Sequence, residues 1–143
     1  DLGLGESVRL LPWIPRAELA TIYRSHDALL FDSPFSEPAA LVLLEAFAAG
    51  LPVVGRRPAR QGGLLQPDMT CVCFPSTNDR EIAEAVERML GDEALRQQIR
   101  RRAYALVQQR FSLDAMGDAY DAALRTLIGG AQSDNRMERA HRV

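Results

Sequence analysis

The 143-residue chain has no lysine; all 17 of its basic residues are arginine. Set against 19 acidic residues they leave a formal net charge of −2, which excludes the electrostatic footprint of a nucleic-acid binder. The all-arginine bias reads first as GC-rich codon composition and only second as a set of phosphate clamps. Cysteine is nearly absent too. Cys71 and Cys73 stand two apart in "TCVCF", a spacing that puts both thiols on one face of a strand. Two cysteines without further ligands make neither a disulfide framework nor a zinc site, so they read as small buried residues of a reducing compartment. His26 and His141 lack the neighbours a metal or nucleophile site needs and are assigned to structure or tail. No apolar run reaches the roughly 18 residues of a membrane span, and no signal-peptide pattern is visible.

What is present is ordinary for a globular domain: 47% hydrophobic and 25% charged residues, enough for one core and not comfortably for two. "VRLL" at Val8–Leu11 reads as a short strand stopped by Pro12. "PRAELATIYRS" places Leu19, Ile22 and Tyr23 at helical spacing, with Pro15 or Arg16 opening the helix. "ALLFDSP" is a buried strand, "SEPAALVLLEAFAAG" an apolar helix closed by Gly50, and "LPVVG" another strand. A loop over 56–67 leads to the strand "TCVCF". Three helices follow, opened by the cap-type residues before Ile82, by Asp92 and by Ser112. The last of these is expected to end at Gly129-Gly130, leaving 129–143 as a polar disordered tail. Strands alternating with helices predict a Rossmann-like α/β fold: a parallel sheet with flanking helices, then C-terminal helices. Right-handed crossovers align the strand C-termini along one edge, where ligands of such folds bind beside helix N-termini.

The segment Ser33–Leu41 lies at that edge. The apolar helix carries two glutamates, Glu37 and Glu45, eight residues and thus ~12 Å of helix axis apart. That is long for a hydrolytic acid–base pair, which wants roughly 5–9.5 Å. It suits two anchors on one elongated ligand: a ribose near Glu45, a diphosphate over the backbone N–H groups of Ala39, Ala40 and Leu41, and a second sugar near Glu37. Pro38 is tolerated at the first helical position. The plainer alternative pairs Glu45 with a neighbouring arginine and leaves Glu37 in an exposed loop.

The ordered set of the helix ending in Tyr23, the strand ending Ser33-Pro34, the Glu-x7-Glu pair, "EA-x-A-x-G-x-PVV", Gly62-Gly63, the strand before Pro75 and "RFS" at Arg110–Ser112 resembles the C-terminal, donor-binding domain of a GT-B glycosyltransferase of the GT4 type (glycosyltransferase group 1), over roughly residues 8–128. The resemblance implies a retaining, metal-independent transfer from a nucleotide diphosphate sugar donor, with no cofactor. It places Glu37 at the transferred sugar or its phosphate region, as the candidate catalytic residue. It places Glu45 on the ribose, Ala39–Leu41 by the diphosphate and the Pro12–Ile14 segment near the base. Trp13 therefore either lines that pocket or, the stronger reading of an isolated tryptophan, packs in the core. Ser33 reads as structural.

The chain departs from the pattern in places. An aromatic-Gly pair usually stands where Ala39-Ala40 stands, and an added Cβ crowds a phosphate. A glycine is common at Pro12, and the loop after Gly62-Gly63 lacks the usual Asp-Gly turn and acidic residue. The resemblance also implies that the positive diphosphate clamp and a whole N-terminal Rossmann domain lie upstream. The chain begins with Asp1, so it is expected to be a piece of a longer, cytoplasmic, bacterial enzyme and inactive alone. The alternative is a degenerate, non-catalytic half serving as an interaction or regulatory module; a nucleotide-sugar epimerase half is a third reading. A sheet edge left open suggests a homodimer. Arg56, Arg57 and Arg60 read as a solvated loop cluster, with an acidic acceptor or anionic lipid as the rival. The basic helix "RQQIRRRAYALVQQR" admits membrane-surface association, though the acidic residues of the preceding helix offer simpler partners.

Overall fold

The computed structural model describes residues 3–33, 40–57, 63–75 and 78–140. Elements follow in the order α1 Arg16–Arg24, β1 Leu29–Phe31, α2 Leu41–Ala49, β2 Val53–Arg56, β3 Cys71–Phe74, α3 Asp79–Gly91, α4 Glu93–Arg110 and α5 Leu113–Ala140. The chain divides into two compact units, Asp1–Tyr104 and Ala105–Val143.

In the first unit the three strands pair in parallel in the order β1-β2-β3, with Leu29 opposite Val53 and Val53 opposite Cys71. The parallel Rossmann-like arrangement expected from the sequence is therefore present. Strand alternation turns Val54, Val72 and Phe74 toward Ala85 and Met89 of α3 and Ile99 of α4, which together form a buried cluster. On the opposite face Leu65 lies over Gly55, where an added Cβ would come within 3.1 Å of its side chain. Helix α2 links β1 to β2 as a βαβ unit. From β2 to β3 the described part of the crossover holds no helix but a turn in which the Met69 and Thr70 amides both donate to the Gln66 carbonyl at 3.0 Å.

Local chemistry sets the helix ends. Asn78 accepts from the Arg80 amide at 3.0 Å, Asp92 from Leu95 at 2.9 Å and Ser112 from Ala115 at 3.2 Å. At the end of α2, Gly50 takes φ 75°, and the Leu51 and Gly50 amides return to Ala46 and Phe47 at 2.9 and 3.1 Å, closing the helix with a left-handed cap. The Arg100 guanidinium adds a 2.9 Å bond to the Gly50 carbonyl.

Four expectations change. Val8–Leu11 forms no strand; Val8, Leu10 and Leu11 are exposed, because no described strand lies beside them to complete a ladder. Trp13 is 85% exposed rather than packed in the core: Pro12 and Pro15 restrict the backbone on either side of it, and its segment joins no described strand. Helix α5 does not stop at Gly129-Gly130 but runs to Ala140; the two glycines cost roughly 1 kcal/mol each yet impose no clash that ends a helix. Among the described ion pairs none joins an α4 arginine to an acid of α3; Arg96 reaches α3 only at the Leu90 carbonyl, at 3.0 Å. Arg96 pairs with Glu93 of its own helix, and Arg100 and Arg102 seek the Gly50 and Asp68 carbonyls.

In the second unit, Leu113, Met116, Tyr120, Leu124, Leu127 and Ile128 are exposed along α5 at three- and four-residue spacing. They make one apolar stripe. No helix among the described residues is long and apolar enough to cross a membrane.

Candidate functional site

Helix α2, LVLLEAFAA, is apolar on every side and buries Leu43, Ala46 and Phe47. Its one charged residue, Glu45, points away from that core toward α1. The Glu45 side chain keeps 31% of its exposure. The Tyr23 hydroxyl donates to its Oε2 at 3.2 Å, and the Arg16 guanidinium stands 3.9 Å from Oε1. Arg16 is 87% exposed, so that ion pair contributes little. Burial, followed by the hydrogen bond and charge of Glu45, raises the Tyr23 pKa above that of an ordinary phenol. The phenol thus stays a donor to the carboxylate. A carboxylate has about four acceptor positions; Tyr23 fills one and leaves room for a diol.

Between α1 and α2 lies a cleft of about 230 Å³ lined by Arg16, Leu19, Ala20, Tyr23, Glu45 and Ala48. The cleft is smaller than the roughly 300–1,000 Å³ of sites for drug-sized ligands.

One turn N-terminal to Glu45, the helix begins. Ala40 is buried and occupies the cap position at φ −69° and ψ 116°, with no side-chain cap bond. Its carbonyl takes the Leu43 amide at 3.0 Å; Leu41, the first helical residue, is exposed. The amides of Leu41 and Val42 precede the first intrahelical bond, as at any helix start. Ala40 needs no glycine-like conformation, so the alanine there carries no backbone strain. Glu37, Pro38 and Ala39 lie outside the described residues, as do Gly62 and Arg60. The described helix starts at Leu41.

The neighbouring strand ends are tied together. Arg56 closes β2 and donates through Nε to Asp32 Oδ1, just beyond β1, at 2.6 Å; a second guanidinium nitrogen reaches the same oxygen at 2.5 Å. Arg56 is thus a strand residue with a fixed partner, not a member of a solvated loop cluster. The sequence reading missed both this pair and Tyr23–Glu45. The signal for the second was available: a glutamate on an otherwise buried helix needs a polar partner, and Tyr23 is the polar-tipped residue on the apolar side of the preceding helix. Of the sequence-predicted residues, Glu45, Ala40 and Leu41 share α2 and its cap. Trp13 is not among the residues described as lining the cleft. Among the described residues no three His, Cys, Asp or Glu side chains gather as a metal site.

Residues 1–106 match the family model of glycosyl transferases group 1. The chain is 34% identical over its full length to a D-inositol 3-phosphate glycosyltransferase of Mycobacterium leprae, spanning 32% of that protein. It is 33% identical over 99% of its length to an exopolysaccharide phosphotransferase of Streptomyces coelicolor, spanning 15% of it. The chain is therefore about a third or less of the length of these curated relatives. Among solved structures it is similar to sucrose-phosphate synthase of Thermosynechococcus elongatus, at TM-score 0.72 and 27% identity over 89% of this chain and 32% of that one. It also shares its fold with Anabaena HepE, at TM-score 0.67 and 22% identity over 78% of this chain and 30% of that one. The fold is that of the GT-B glycosyltransferases, and the chain belongs to the glycosyl transferases group 1 family.

Proposed function

We propose that this chain is the donor-binding, C-terminal part of a retaining, GT4-type glycosyltransferase that moves a sugar from a nucleotide diphosphate sugar without a cofactor. The observation that carries the reading is Glu45: the one charge on a buried helix, oriented by Tyr23, partly exposed, and one turn from the helix start at the edge of the sheet. In this reading the Glu45 carboxylate accepts two hydrogen bonds from a ribose diol, and the free amides of Leu41 and Val42 face the diphosphate. Ala39 and Ala40 flank that diphosphate, Trp13 lies by the base, and Glu37 acts at the transferred sugar as the catalytic residue. Anabaena HepE has been solved with UDP-glucose, which makes a uridine donor the first to try.

The same reading assigns the rest of the enzyme to an upstream Rossmann domain that binds acceptor and completes the diphosphate clamp, so this part alone does not catalyse transfer. The exposed apolar stripe on α5 supports it, since such a surface calls for cover. The relatives also carry at least twice as much chain again. The reading further places the protein in a bacterial cytoplasm, with association at a membrane surface and homodimerisation through the open sheet edge as its accessory interactions. The strain-free backbone of Ala40 weighs against a degenerate, non-catalytic module.

Calorimetric titration with UDP, GDP, ADP and their sugars tests this, beside Glu45→Gln. Saturable binding of one nucleotide is expected, weakened about 10–100-fold by the substitution, as befits loss of hydrogen bonds to a charged group. Failure of the full-length protein to bind any of the three, or wild-type affinity in Glu45→Gln, would refute the assignment.

A further inference from the structure

Strand β3 carries Cys71 and Cys73 on the face that also holds Val53 and Gly55 of β2. Their sulfurs lie 3.1 Å apart, and both are free thiols. The two differ sharply in surroundings. Cys71 is fully buried, whereas Cys73 is partly exposed near the end of the strand. The contact between the thiols pushes the Cys71 pKa well up, with burial adding to it. At Cys73 the bond from the Cys71 thiol pulls the pKa down; burial opposes it and the Arg57 guanidinium assists. The arrangement is that of a partly exposed attacking sulfur backed by a buried resolving one.

We propose that Cys71 and Cys73 are an oxidisable dithiol that closes to an intrastrand disulfide by exchange with a small-molecule disulfide, and that closure loosens the pairing of β2 with β3. In the first step the Cys73 thiolate attacks one sulfur of the disulfide, forming a mixed disulfide and expelling one thiolate. That thiolate takes the proton of Cys71, whose sulfur then attacks Sγ of Cys73 and expels the second thiolate, which is protonated from solvent. Two electrons and two protons leave the protein thiols, and the small disulfide is reduced to two thiols.

The mechanical consequence follows from strand geometry. Two residues along a strand separate their Cα atoms by roughly 6.6 Å, near the upper end of the roughly 4.4–6.8 Å that disulfides span and above their commonest roughly 5.5–6 Å. Closing the bond therefore shortens β3 locally and rotates Val72, which lies between the cysteines in the buried cluster with Val54, Phe74 and Met89. The pairings Val53–Cys71 and Gly55–Cys73 bear the same distortion, one residue from the Arg56–Asp32 tie at the sheet edge. A reducing compartment keeps the pair open, and oxidative conditions close it.

The test is to incubate the 143-residue chain with excess oxidised glutathione, block remaining thiols with iodoacetamide, and measure intact and tryptic masses and the melting midpoint. The expected result is a loss of about 2 Da confined to the peptide carrying both cysteines, reversed by dithiothreitol. The oxidised form should melt at a lower temperature than the reduced form. Cys73→Ser, checked for folding by circular dichroism, should show neither the mass loss nor the shift; Cys71→Ala should stop at the mixed disulfide on Cys73. A wild-type chain that halts as a stable Cys73–glutathione adduct, forms disulfide-linked dimers, or leaves both thiols alkylatable would overturn the dithiol. An oxidised form that melts with the reduced one would overturn its coupling to the sheet.

Discussion

Removing one oxygen from Tyr23 tests how Glu45 is held. Tyr23→Phe deletes the hydrogen bond to Oε2 and leaves the ring in place. A bond to a charged group contributes roughly 1.5–3 kcal/mol, but 3.2 Å is long for a hydroxyl donor, and Glu45 is 31% exposed, so water competes. The expected loss is about 1 kcal/mol at neutral pH, or a fall in melting midpoint of roughly 3–5 °C. The pH dependence separates this contact from general packing. Burial and then Glu45 raise the folded-state pKa of Tyr23, so the folded chain holds that proton more tightly than the unfolded one. The contribution is therefore complete below the unfolded value of about 10 and is lost as pH rises through the folded value. The stability gap between wild type and Tyr23→Phe should stay constant to about pH 10 and shrink above it. No lysine titrates in that window. Urea melts followed by far-ultraviolet circular dichroism between pH 7 and 11 would measure the gap, since Trp13 is too exposed to report on the core. Equal stability at neutral pH, or a gap that does not change with pH, would refute the reasoning.

Two further substitutions probe the frame around Glu45. Phe47→Ala removes a fully buried ring on the same helix and should cost about 3–5 kcal/mol. That is a large part of a typical 5–15 kcal/mol stability, and the urea midpoint should fall by roughly 1–5 M for an m-value of about 1–3 kcal/mol/M. Gly50→Ala forces a Cβ onto φ 75°, where the nearest atom it would meet, on the Arg100 guanidinium, stands an ordinary 3.7 Å away. The cost should therefore be backbone strain alone, roughly 1–2 kcal/mol, and Gly50→Asn should recover part of it in the same melts.

Much of the fold was legible because its determinants are local. Asn78, Asp92 and Ser112 each satisfy an amide two or three residues onward, and Gly50 meets a requirement for positive φ that few other residues tolerate. The alternation in "TCVCF" was enough to place both sulfurs on one face. Val8–Leu11 misled because β-pattern alone does not make a strand; a ladder partner must exist. Trp13 misled because a large apolar side chain suggests burial, while the two prolines around it decide the path of the chain.

The amino-acid sequence by itself determined the kinds of element, their caps and the presence of Glu45 as a charge within an apolar helix, since all of these depend on residues within a turn or two. Tertiary structure alone decided that Tyr23, twenty-two residues earlier, holds that carboxylate, and that Arg56 leaves its loop neighbours to bind Asp32. It also decided that two thiols on β3 come within contact of each other while only one faces out. Such pairings are set by the crossing of α1 over α2 and the register of three parallel strands, distances that no spacing along the chain contains.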